Sequence, residues 1–74
     1  MNPIDPLDEY PPMMTPSQVA EYLGISSERL NTWRKLNRGP RYVKVGEGRN
    51  GAVRYPREAL REYIKANTVQ PAVS

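Results

Sequence analysis

Seventy-four residues hold one domain with one small core, which leaves little room for a buried catalytic pocket. The absence of Cys and His removes disulfide frameworks, thiol nucleophiles, the usual zinc ligands and the commonest general base, so the reading is of a non-enzyme with no cofactor and no metal. The net charge of +3 understates how basic the body is, because all 11 Lys and Arg lie beyond Thr15 while Asp5, Asp8 and Glu9 precede it, a balance that suits phosphate backbones and equally a merely solvated surface.

Met1 to Pro12 carries four of the 8 prolines and no helical or alternating apolar period, so residues 1–12 read as an extended, mobile, acidic arm. This start lacks the basic residues and apolar run of a signal peptide, and no later stretch approaches a membrane span. The expectation is a soluble, cytoplasmic protein with no membrane contact.

The first helix is predicted at Thr15-Pro16-Ser17-Gln18, where Thr15 caps, Pro16 takes the first helical position and Gln18 completes a capping box. Val19, Ala20 and Leu23 share one face, and Gly24 supplies the left-handed stop. Ser26 then caps a second helix over Ser27 to Leu36, with Ile25 plugging the gap. Two short helices joined by a tight Gly-containing turn form the helix-turn-helix signature.

At about 100° per residue, Leu30, Trp33, Leu36 and Asn37 gather on the inner side of this second helix. Ser27, Glu28, Asn31, Thr32 and Lys35 point outward, with Arg29 and Arg34 on the flanks, placed to reach neighbouring phosphates. The outward face is polar throughout, which suits a helix that lies in a DNA groove. Trp33 shares its side with Leu30 and so reads as core rather than as a base-stacking aromatic. Glu28 has two compatible readings, a partner for the helix dipole and an acceptor for the exocyclic amine of cytosine.

Asn37-Arg38-Gly39-Pro40 breaks the helix, and Tyr42-Val43-Lys44-Val45 and Ala52-Val53-Arg54-Tyr55 then alternate apolar with basic about a glycine-rich loop, as in a β-hairpin. With Val43, Val45, Val53 and Tyr55 turned to the core, Lys44 and Arg54 are expected outward. Gly46 to Gly51 matches the G-x-G-x-x-G dinucleotide fingerprint, but strand rather than helix follows, so the glycines read as a turn. At the loop tip Arg49 is the leading candidate for backbone or minor-groove contact, supported by Lys44, Asn50 and Arg54.

Pro56 opens the last helix, whose Leu60, Tyr63 and Ile64 form the core stripe, while the spacings Glu58–Arg61 and Glu62–Lys65 suit ion pairs. Residues 13–66 thus read as one domain, mostly α with a small β-hairpin, and residues 67–74 as a flexible tail. No dimerising heptad follows, so a monomer that meets its neighbours on DNA is expected.

The order helix, turn, helix, hairpin, helix, with Ala20-Glu21-Tyr22-Leu23-Gly24-Ile25-Ser26, Leu30, Trp33, Arg41-Tyr42-Val43-Lys44-Val45-Gly46 and Arg54-Tyr55, resembles the MerR-like winged helix-turn-helix family. The nearest branch is that of the phage excisionases, or recombination directionality factors, with the AlpA-like regulators beside it. The resemblance spans Met13 to Lys65. It implies a recognition helix in the major groove, a wing along the adjacent minor groove or backbone, and cooperative loading of several copies that bends double-stranded attachment-site DNA and directs a phage integrase toward excision in a bacterial cell. It places Glu28, Thr32 and Lys35 among the DNA-facing positions, with Thr32 departing from the long basic residue of some relatives. The alternatives are a small transcription regulator on the same fold and, more remotely, a protein-interaction adaptor working through the Pro-rich arm.

Overall fold

A computed structural model describes residues 5–46 and 51–71. Three helices, α1 (Pro16–Leu23), α2 (Ser27–Lys35) and α3 (Arg57–Asn67), pack with three short strands, β1 (Met13–Met14), β2 (Val43–Val45) and β3 (Ala52–Pro56). The expected winged helix-turn-helix is borne out, with β1 as a third strand that two residues were too short to announce.

The local chemistry of the first two helices is as the residues predict. The Thr15 hydroxyl accepts from the Gln18 amide at 3.2 Å while the Gln18 side chain accepts from the Thr15 amide at 2.9 Å, closing the capping box. Gly24 takes φ 71°, and the Ile25 amide donates to the Ala20 carbonyl at 3.0 Å, so the turn satisfies the last carbonyls of α1. Ser26 then accepts from the Arg29 amide at 3.1 Å to start α2.

The far end of α2 departs from expectation. The helix stops at Lys35, Asn37 adopts φ 56°, and the Arg38 amide donates to the Trp33 carbonyl at 2.7 Å. Asn tolerates the left-handed conformation that such a cap needs. The turn swings Leu36 out to 57% exposure, so Leu36 and Asn37 leave the inner stripe that a continued helix would have given them. Gly39 follows at φ +87°, its α-carbon so close to the Trp33 ring that a Cβ would fall 2.8 Å from Cε3. Trp33 is half-buried, packs on the core and meets Tyr63 at 5.9 Å between ring centroids.

The sheet order is β1-β3-β2, both pairings antiparallel. Register corrects the expected faces. Met14 lies opposite Tyr55 and Lys44 opposite Val53, whereas Val43 lies opposite Arg54 and Val45 opposite Ala52. Directly paired residues share a face. Tyr55, Val53 and Met14 therefore look inward together with Lys44, and Val43 and Val45 look outward with Arg54, at 43% and 52% exposure for the two valines. Alternation within each strand was correct; the phase between the strands was not.

The core comprises Leu7, Met14, Val19, Ala20, Leu30, Tyr55 and Leu60, with Tyr10, Tyr22, Leu23, Ile25, Trp33, Val53 and Ile64 packed against it. Leu7 is the larger correction. Residues 5–12 are a strap rather than a mobile arm: Pro6–Glu9 form a 3-10 turn capped by Asp5, and Leu7 is 1% exposed. Tyr10 meets Tyr22 edge-on at 5.5 Å, the Arg57 guanidinium donates to the Tyr10 carbonyl at 2.7 Å, and the Arg57 amide donates to the Pro12 carbonyl at 2.7 Å. A single buried leucine among prolines leaves no periodicity for a sequence reading to find. No helix among the described residues is long and apolar enough to cross a membrane.

Candidate nucleic-acid interface

Capping by Ser26 and the packing of Leu30 and Trp33 turn a polar face of α2 to solvent. Ser27, Glu28, Arg29, Asn31, Thr32 and Lys35 are all exposed. Thr32 spends its hydroxyl proton on the Glu28 carbonyl at 3.0 Å, which leaves its methyl group and oxygen lone pairs outward.

Arg34 differs from the flank position expected for it. Its side chain is half-buried and crosses toward the hairpin, where Nη1 donates to the Tyr55 hydroxyl at 3.1 Å and Nη2 donates to Oδ1 of Asn31. Tyr55 thus has two roles: its ring fills the core, and its hydroxyl ties the wing to α2. The alternating pattern showed the first, but only the tertiary approach of positions 21 apart reveals the second.

Between α2 and the hairpin runs a cleft of about 290 Å³, lined by Asn31, Arg34, Lys35, Tyr42, Lys44, Gly51 and Val53. Lys44 reaches it because β2 places it on the inward face beyond the edge of the core. Tyr42, which packs against Tyr55 at 5.9 Å, forms the cleft wall and was missed as a site residue because it read only as a strand aromatic. Arg54 lies on the opposite sheet face, its Nη1 donating to the Val53 carbonyl at 2.8 Å, so Lys44 and Arg54 do not act from one side. Arg49 and Asn50 fall outside the described residues.

Charge is divided by side. The ion pairs among the described residues all involve α3: Arg61 with Asp5 at 3.0 Å, with Asp8 at 2.7 Å and with Glu58 at 2.5 Å, Arg57 with Asp8 at 4.0 Å, and Glu62 with Arg41 at 2.7 Å. The Glu58–Arg61 spacing is used as expected, while Glu62 takes Arg41 rather than Lys65. The Leu7 amide and the Arg61 guanidinium hold the Asp5 carboxyl below the usual range, and the Asp8 and Asp5 carboxylates raise Arg61 in turn. The acidic strap neutralises the basic surface of α3, whereas Arg34, Lys35 and Lys44 around the cleft have no carboxylate within ion-pair distance among the described residues. Three cationic side chains without ion-pair partners among the described residues, beside an exposed polar helix, suit a phosphate backbone.

No curated protein and no solved structure matches the chain. A family model described as a helix-turn-helix domain matches residues 13–68, from β1 to just past α3, and leaves out the strap. With well over half its length so matched, the chain belongs to the helix-turn-helix domain family, which includes excisionase-like and AlpA-type small DNA-binding proteins, and is a DNA-binding helix-turn-helix protein.

Proposed function

We propose that this protein is a sequence-specific, non-catalytic excisionase: it loads cooperatively on double-stranded attachment-site DNA, bends it, and directs a phage integrase toward excision. The observation that carries the DNA-reading half is the cationic cleft between α2 and the hairpin, whose Arg34, Lys35 and Lys44 have no ion-pair partner among the described residues. The exposed face of α2, with Ser27, Glu28, Asn31 and Thr32, enters the major groove; Arg29, Lys35 and Lys44 take adjoining phosphates, and the loop with Arg49 and Asn50 follows the backbone. The resemblance of the Ala20 to Ser26 segment and the following hairpin to excisionases supports the recombination half. Family membership agrees with it at the level of small DNA-binding proteins.

One module of this size buries roughly 600–1,000 Å² on DNA, too little for both high affinity and a large bend, so several copies must act together. The test is loading of the full chain on an attachment-site duplex with closely spaced direct repeats, read by gel shift and by bend-dependent mobility, followed by excision with the integrase present. The reading requires cooperative filling, a bend that grows as copies add, and stimulated excision. Independent filling with no change in bend would overturn the excisionase role and leave a simple DNA-binding regulator. Contact with four to six phosphates per protomer gives a slope of about −4 to −5 for log affinity against log salt. Affinity indifferent to salt would remove the backbone contacts altogether.

A further inference from the structure

We propose that Tyr55 sets the base preference of α2 by holding Arg34 against Asn31, so that the Asn31–Arg34 pair presents N–H donors to the groove and selects a guanine. This rests on the reading that α2 lies in the major groove.

The chemistry of the pair is determined by its donors. A guanidinium only donates, so the Asn31 atom facing Arg34 Nη2 must be the oxygen, and the amide nitrogen of Asn31 is turned away as a donor with no partner among the described residues. A free asparagine on a recognition helix pairs with adenine by accepting from N6 while donating to N7. Here the acceptor is already engaged. Arg34, fixed at its other nitrogen by the Tyr55 hydroxyl at 3.1 Å, offers its remaining N–H groups beside that amide. Two adjacent donors match O6 and N7 of guanine, the base edge with two acceptors in the major groove, and clash with the exocyclic amine of adenine or cytosine.

Tyr55 is a positioning residue in this arrangement. Its ring is 1% exposed and reaches no DNA, so its hydroxyl acts only through Arg34. Loss of the hydroxyl frees the guanidinium to swing into the cleft toward Lys35 and Lys44 and returns Oδ1 of Asn31 to the groove. Affinity for phosphates then survives while the choice of base does not.

The experiment is selection of the full chain on a pool of duplexes randomised over 20 base pairs, with wild type, Tyr55→Phe and Asn31→Asp compared after thermal melting has shown each to be folded. Wild type enriches a motif with guanine at one position by at least about fivefold over other bases, the lower end expected of a bidentate contact. Tyr55→Phe keeps the other motif positions and the salt slope but loses the guanine preference. Asn31→Asp, which offers only acceptors, moves the preference at that position to cytosine, whose N4 amine donates; a purely structural role for the pair produces no such exchange. If wild type enriches a motif and Tyr55→Phe retains the same guanine, the proposal is overturned while the DNA-reading assignment stands. If wild type binds the pool without enriching any motif, sequence-specific reading by α2 fails and this proposal with it.

Discussion

Substituting Leu7 tests whether the strap is part of the fold. Leu7 is 1% exposed, as deep as Leu60 at 0%, and it belongs to the same cluster as Val19 and Leu30. Truncating such a leucine to alanine costs about 2–5 kcal/mol, the transfer free energy of the lost atoms plus the cavity they leave. A domain of 74 residues has roughly 4–11 kcal/mol in all, so the change removes a large share. At about 4–8 °C per kcal/mol for a domain of this size, Leu7→Ala lowers Tm by roughly 8–40 °C. Urea titration followed by far-UV circular dichroism and by Trp33 fluorescence measures the loss directly, with Leu60→Ala as the core reference and exposed Pro6→Ala as the surface control. Coincident transitions and an unchanged dependence on urea confirm that the whole domain is being followed. A loss below about 1 kcal/mol, no larger than that of the Pro6 control, would refute the reasoning and return residues 5–12 to the mobile arm that their prolines suggest.

Asp5→Asn tests the ion pairs beneath the strap: because the fold lowers the carboxyl pKa, its contribution is present above the ordinary carboxylate range and is lost as pH falls through the depressed value. The variant is therefore less stable than wild type at neutral pH, and the gap between their melting temperatures closes in acid; a gap independent of pH contradicts this. Gly39→Ala places a Cβ 2.8 Å from Trp33 at a left-handed φ, costing about 1–3 kcal/mol in a thermal melt, whereas the same change at a position without strain stabilises. Lys44→Ala flattens the salt dependence of binding by about one unit and weakens most sequences alike, while Arg54→Ala, on the other sheet face, changes it less. A larger effect of Arg54→Ala than of Lys44→Ala would show that the hairpin meets DNA with its outer face.

What the sequence made legible was whatever is decided within a few residues. The Thr15–Gln18 box, the Gly24 stop and the Ser26 cap are short-range hydrogen-bonding devices, and each appears where its residues place it. The exposed stripe of α2 follows in the same way, because helical phase is carried from one residue to the next. The misplaced features depend on pairs far apart in the chain. Facing of β2 required knowing that Lys44 meets Val53 across a loop, and a shift of one residue in that register exchanges Lys44 for Val43 and Val45. The strap required knowing that Arg57 and Arg61 lie within reach of Asp5 and Asp8, about fifty positions earlier. Asn37 escaped for a different reason: an asparagine can end a helix as glycine does, but its side chain does not advertise it.

The position of Tyr55 joins these two scales. Core and reading surface in so small a domain are separated by a single side chain, with the aromatic ring closing the hydrophobic cluster and the buried hydroxyl accepting from Arg34, which lines the cleft. The net stabilisation from one such charged hydrogen bond is about 1.5–3 kcal/mol at most, whereas truncating the buried ring costs about 3–5 kcal/mol. Removing the hydroxyl therefore leaves the fold largely intact while releasing Arg34, whereas removing the ring takes both. Stability and recognition can be separated at this residue only by the Phe substitution, and any larger change there reports on the core before it reports on DNA.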